Sequence, residues 1–134
     1  MVVSEESRLV DFDAEAALAA AREVDRDAVH ICVEYTESEF HTLYADEATM
    51  ALYDDRAAME SHFEEVHSYV HIDFTETDLF GELFRAAGDV RSFVTVMEHA
   101  TVLRVLVGSQ GLFFSTDPEA DVTALVTAVE DAID

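Results

Sequence analysis

The chain reads as an α+β domain in which a single antiparallel sheet of about five strands is flanked by helices, in the order α-β-β-α-α-β-β-β-α. Three observations predict this. Residues 29–35 and 40–44 alternate apolar and polar side chains on either side of a short polar turn, the period of a half-buried hairpin. Residues 90–97, 101–107 and 112–115 repeat that alternation, separated only by short turns, as in a meander. Apolar stripes at steps of three and four open and close the chain, over 13–26 and beyond 117. With 134 residues, 50% of them hydrophobic, one core and one domain over 1–134 are expected.

In chain order, Ala14, Ala17, Leu18, Ala21 and Val24 recur at helical spacing from Asp13 to Arg26, with Asp11 or Asp13 as N-cap. Val29, Ile31, Val33 and Tyr35 then alternate with His30, Cys32 and Glu34, residues 36–38 turn the chain, and Phe40, Thr42 and Tyr44 alternate again. A turn centred on Glu37-Ser38 sets Glu34 opposite His41. Residues 46–53 suit either the first turns of the next helix or a separate connection. From Asp54 to Val70 the stripe Met59, Phe63, Val66 and Val70 marks a longer second helix, and His71 to Phe74 could be helix, loop or a short edge strand. Thr75 with Asp78 resembles a capping box, Leu79, Phe80, Leu83, Phe84 and Ala87 share one face, and Gly88 stands where a helix-ending glycine belongs, so a short third helix is predicted. Strands Val90–Met97 and Thr101–Val107 join at Glu98-His99-Ala100, and Gly108-Ser109-Gln110-Gly111 turns into Leu112–Ser115. The last helix is expected to start at Asp117-Pro118, with Val122, Leu125, Val126, Val129 and Ile133 as its buried stripe.

Acidic residues number 30 against 7 basic ones, for a formal net charge of -23. Every basic residue is arginine, and lysine and asparagine are absent. Such like charge drives a compact chain apart at moderate ionic strength, whereas molar salt shortens the Debye length to about 3 Å. The composition therefore predicts a protein of an extreme halophile. It supplies no Lys/Arg cluster for phosphates or anionic lipid, so neither nucleic acid nor membrane insertion is expected. No signal peptide and no spanning segment is visible, and a cytoplasmic location follows as the expectation. Neighbouring carboxylates such as Glu64/Glu65 or Asp54/Asp55 arise from background composition and mark no catalytic pair. Cys32, the one cysteine, is expected to be a buried, inert thiol.

Nucleotide-binding glycine motifs are missing, and without lysine there is neither a Schiff-base nucleophile nor a phosphate-binding lysine. No G-x-S-x-G elbow occurs, and Ser109 reads as a turn serine. Of the 6 histidines, His62, His67 and His71 cluster around Glu64 and Glu65. On one helix His67 and His71 would share a face at a spacing that metal ligation uses, and these two are the candidate ligands. His62 would project about 140° away from His67, so the triplet diverges, and neither a metal site nor any other cofactor is expected. His99, after Glu98, serves its turn.

The element order is similar to the roadblock and profilin-like arrangement of helices over a five-stranded antiparallel sheet. Three stretches, Glu39-Phe40-His41-Thr42-Leu43-Tyr44, Val102-Leu103-Arg104-Val105 and Gly108-Ser109-Gln110-Gly111-Leu112-Phe113-Phe114, resemble a family of short uncharacterised haloarchaeal proteins, some labelled Htr-like after the transducers of microbial rhodopsins. The resemblance implies the haloarchaeal setting and the strand positions, and no activity. Its label implies a signalling context, although the chain has neither the transmembrane pair nor the long coiled coil a transducer needs.

With no catalytic constellation in the sequence, the reading is a non-catalytic interaction or regulatory module, with signalling among its roles, acting through a protein partner or as a homodimer. The alternatives are a small-ligand sensor with an apolar pocket and a His-dependent metal protein or enzyme. Leu79, Phe80, Leu83 and Phe84 are the candidate interface, because four large apolar groups on two turns exceed what a short connecting helix needs. Closure of the core by the same stripe is the competing reading.

Overall fold

The computed structural model describes residues 2–133. Its elements are β1 (Val3–Ser4), α1 (Ala14–Val24), β2 (Val29–Thr36), β3 (Phe40–Ala45), α2 (Glu47–Met50), α3 (Arg56–His67), α4 (His71–Leu83), a 3-10 turn (Arg85–Ala87), β4 (Ser92–Val96), β5 (Thr101–Val107), β6 (Gln110–Thr116) and α5 (Val122–Ile133). One antiparallel sheet of six strands runs in the order β1-β3-β2-β6-β5-β4.

The expected hairpin and meander form with the predicted pairings. Glu34 lies opposite His41, and β6 joins the two halves by pairing with both β2 and β5. The sixth strand is the addition: Val3 pairs with Ala45 and Ser4 with Tyr44. Two residues carry no periodicity of their own, so only their long-range hydrogen bonds make them a strand. Asp13 caps α1, accepting from the Ala16 amide at 2.9 Å. Along α1, Ala14, Ala17 and Ala21 are buried, and their small side chains let the helix lie close to the sheet and to α5. Together α1 and α5 cover Cys32, Leu43, Leu103, Val105, Leu112 and Phe114, with Leu125 and Val129 from α5 completing this core.

The structure settles two segments the sequence left open and moves three helix boundaries. Residues 46–53 hold a separate one-turn helix, α2, capped by Asp46, whose carboxylate accepts from the Thr49 amide at 2.9 Å. The second helix stops at His67, a turn spans Ser68–Val70, and α4 starts at His71, so His71–Phe74 form its first turn and the edge-strand alternative falls away. Thr75 is consequently interior to α4 and caps nothing; its hydroxyl donates to the His71 carbonyl at 2.8 Å. The last helix begins at Val122 rather than at Pro118. Asp117 is held on the sheet, its amide donating to the Ala28 carbonyl at 2.9 Å, and Asp121 takes the capping role by accepting from the Ala124 amide at 3.1 Å.

Candidate functional site

On the opposite face of the sheet, the register sets side chains in rows across the strands. Thr95, Val102, Ser115 and Ile31 form one row, from β4 through β5 and β6 to β2. The next is bulkier: Phe93, Arg104, Phe113 and Val33. Above these rows stand α3, the Ser68–Val70 turn and the first turn of α4. Between them and the sheet lies a groove of about 440 Å³, floored by residues of both rows, with Phe63, Val66 and Ile72 along its helical wall. Tyr35 closes one side. Its ring covers Gly111 so tightly that a Cβ there would lie 2.5 Å from the Tyr35 Cζ, which explains a glycine inside β6.

Asp73 ties α4 down. Its carboxylate accepts from the Tyr35 hydroxyl at 3.0 Å and forms an ion pair with Arg104, while the Arg104 guanidinium lies 5.2 Å from the Phe93 ring centre. Burial, with the adjacent Asp73 charge, pushes the Tyr35 phenol well above its ordinary range, so it stays a neutral donor.

Beyond the groove, the end of α4 is bare. Leu79, Phe80, Leu83 and Phe84 are 50%, 37%, 63% and 57% exposed. Phe80 and Phe84 stack at 5.9 Å, and Phe80 contacts Phe93 on β4 at 6.2 Å between ring centres. The patch thus reaches β4 through Phe93. Among the described residues β4 pairs only with β5, so its outer edge carries free backbone groups.

The structure does not bring His67 and His71 together, because a helix ends between them. His67 turns inward, its Nε2 lying 2.8 Å from the Thr36 carbonyl, and His71 is exposed beside the Ser68 carbonyl at 3.3 Å. His62 instead meets the Tyr53 hydroxyl at 2.6 Å. Among the described residues no group of three or more His, Cys, Asp or Glu is placed to hold a metal ion. Cys32 is fully buried, and that burial raises its thiol far above the range in which thiolate forms.

Two polar networks on other parts of the sheet went largely unread in the sequence. Glu34 is fully buried and accepts from the Ser7 hydroxyl at 2.8 Å and from the amides of Arg8, Leu9 and Val10 at 2.9 to 3.1 Å. His41 adds Nδ1 at 2.7 Å and reaches Glu5 with Nε2 at 3.0 Å. Burial alone would raise the Glu34 carboxyl, but these donors outweigh it and hold it below its usual value. The other network is His30, whose two ring nitrogens each lie 2.5 Å from a carboxylate, Asp46 and Asp117. The alternation exposed the Glu34–His41 opposition; nothing local could show that residues 7–10 wrap back onto it.

Residues 15–134 match the family model described as a domain of unknown function, DUF7522. No curated protein matches the chain. Among solved structures, the chain is similar to a roadblock/LC7 domain from Streptomyces avermitilis, at 14% identity and a TM-score of 0.57 over 90% of both chains. The gliding protein MglB from Thermus thermophilus is similar at 13% identity and a TM-score of 0.51, covering 97% of this chain and 93% of that one. A structure titled MglB with tetrameric arrangement is similar at 15% identity and a TM-score of 0.56, covering 97% and 92%. At these identities the likeness establishes a roadblock-type fold.

Proposed function

The chain belongs to the DUF7522 family, a domain of unknown function, and we propose that it is a non-catalytic interaction module that binds a second copy of itself through the end of α4 and the edge of β4. The observation that carries this reading is the continuous apolar patch of Leu79, Phe80, Leu83, Phe84 and Phe93 beside an unpaired strand edge. Exposed apolar patches on a monomer mark contact surfaces, and a strand edge adds backbone hydrogen bonds to whatever docks there. On a chain of net charge -23 this apolar patch, with Glu82 and Arg85 at its edge, is where a second copy can approach with little uncompensated like charge. The solved structure titled with a tetrameric arrangement supports self-association in this fold.

The same proposal includes the setting. Thirty acidic residues, no lysine and arginine as the only cation suit a halophile's cytoplasm, where molar salt screens the repulsion between copies. A regulatory or signalling role is the use to which such a module is put. Light scattering after size exclusion in molar KCl tests the interface: the wild type should run at twice its monomer mass or more, and Leu83→Asp and Phe84→Asp should each run as monomers with an unchanged melting temperature. A monomeric wild type, or variants that keep the wild-type mass, would overturn the self-association reading, and variants that unfold would assign the patch to the core.

A further inference from the structure

We infer that the groove between the sheet and the α3–α4 lid is a binding site for a neutral, mainly apolar small molecule, separate from the self-association patch. Its volume of about 440 Å³ lies within the range of about 300–1,000 Å³ typical of small-molecule sites. Protein interiors close-pack and leave few voids larger than a water molecule, and an apolar cavity does not hold ordered water. The register builds the floor: the row Thr95, Val102, Ser115 and Ile31 lies beside Arg104, Phe113 and Val33 of the next row, and both rows line the groove beneath the lid.

Charge selects the occupant. Two ionised side chains line the groove, Arg104 and Asp73, and they neutralise each other, with the Tyr35 hydroxyl also committed to Asp73. An anion would have to draw Arg104 from Asp73 and approach through the field of a strongly acidic chain, and a cation would have to displace Arg104 itself. His62 and His67 also line the groove, but each is engaged by the protein, His62 with the Tyr53 hydroxyl and His67 with the Thr36 carbonyl. The remaining wall is aliphatic and aromatic, with the hydroxyls of Ser115 and Thr95 able to fix one or two polar atoms of a ligand. A second copy is the competing occupant, but the exposed patch begins at Leu79, about 10 Å along α4 from Ile72 at the groove.

The test uses N-phenyl-1-naphthylamine, a neutral fluorophore, titrated into the full chain in molar KCl, with anilinonaphthalene sulfonate as its anionic counterpart. The wild type should bind the neutral probe saturably, one per chain, and the sulfonate at least about tenfold more weakly. Val102→Phe and Ser115→Phe fill the floor from opposite strands and should each weaken neutral-probe binding by about tenfold or more, with mass in solution unchanged and melting temperature unchanged or raised. Ile31→Phe, from the central strand β2, replaces either variant if it fails to fold. No saturable binding, equal binding to the filled variants, or tighter binding of the sulfonate would overturn the inference. Probe binding by Phe84→Asp but not by a self-associated wild type would give the groove to the second copy. Mass and probe fluorescence are read separately, so failure of the self-association reading leaves this one standing or falling by itself.

Discussion

The two faces of the sheet are built from the same strands and finished differently. Against α1 and α5, Leu103, Leu112, Phe114, Leu125 and Val129 are almost fully buried, and the alanines of α1 let the layers close without a gap. Against α3 and α4, Tyr35, Val70 and Leu106 form a smaller cluster, and Val66, Tyr69, Ile72 and the whole end of α4 stay exposed. The closed face therefore supplies most of the apolar burial that holds the fold, and the other face can carry contact surfaces at small cost to stability.

The largest test of that division is a pair of truncations read by denaturant unfolding in molar KCl. Leu125→Ala, in the closed core, should cost about 3 kcal/mol, within the range for a leucine cavity. Ile72→Ala, on the half-open lid, should cost less than about 1 kcal/mol, because its side chain is only partly buried. Equal losses would mean that the lid is core and the comparison is wrong.

Next in size is Glu34→Gln. The closed face ends where residues 7–10 cross the sheet, and one buried carboxylate satisfies three of their amides, the Ser7 hydroxyl and His41. An amide of the same shape places a donor among donors and leaves His41 without its buried anion, at a cost of about 2–3 kcal/mol. Hydrogen exchange should show residues 7–10 losing protection before α1 and α5 do. Uniform loss would make the strap part of the core rather than its fastening.

A third substitution tests the groove face. Gly111→Ala puts a methyl against the Tyr35 ring, which is itself held by Asp73, so the ring cannot swing away without breaking that bond. The expected loss is about 1–2 kcal/mol, as for modest overpacking. Gly111→Ala combined with Tyr35→Phe should recover part of it, because the freed ring can shift.

The sequence revealed the closed face better than the open one for a physical reason. Helix α1, the strands and the stripe of α5 bury one side each, so period alone identifies them. The lid follows no such rule. Met59 is buried while Val66, on the same stripe, is exposed, and Asp73 is the buried residue of α4. An acidic residue anchored by Tyr35 and Arg104 from distant strands has no local signature, and that anchor starts the helix earlier than the Thr75–Asp78 pattern suggested. Likewise, Leu79, Phe80, Leu83 and Phe84 were visible as an excess of apolar surface, but the groove was not, since it depends on which side chains the register sets in one row.

The smallest effect expected joins the two faces. His30 stands at the end of β2 with Asp46, which leads into the open-face helices, on one nitrogen and Asp117, which leads toward α5, on the other. Both ring nitrogens facing carboxylates require the doubly protonated cation to donate to each. Burial draws the His30 pKa down, but the hydrogen bonds and charges of Asp117 and Asp46 outweigh it and raise the group above its ordinary value. Asp46 is pushed up by burial and drawn down further by His30 and the Thr49 amide, ending below its ordinary value. For a raised histidine, the stabilisation is complete below the unfolded pKa of about 6.5 and is lost as pH climbs through the folded value. For the lowered Asp46, it is present above about pH 4 and is lost as pH falls. The contribution is therefore greatest near pH 5–6. Partial exposure of the ring limits it to under about 1 kcal/mol, or roughly 4 °C in a domain of this size. Melting in molar KCl should decline by a few degrees from pH 6 to pH 9, and His30→Gln should flatten that decline while leaving the acid side governed by Glu34 and Glu5. If the decline persists in His30→Gln, the two faces are not fastened at this end by the histidine, and each is held by its own side of the sheet alone.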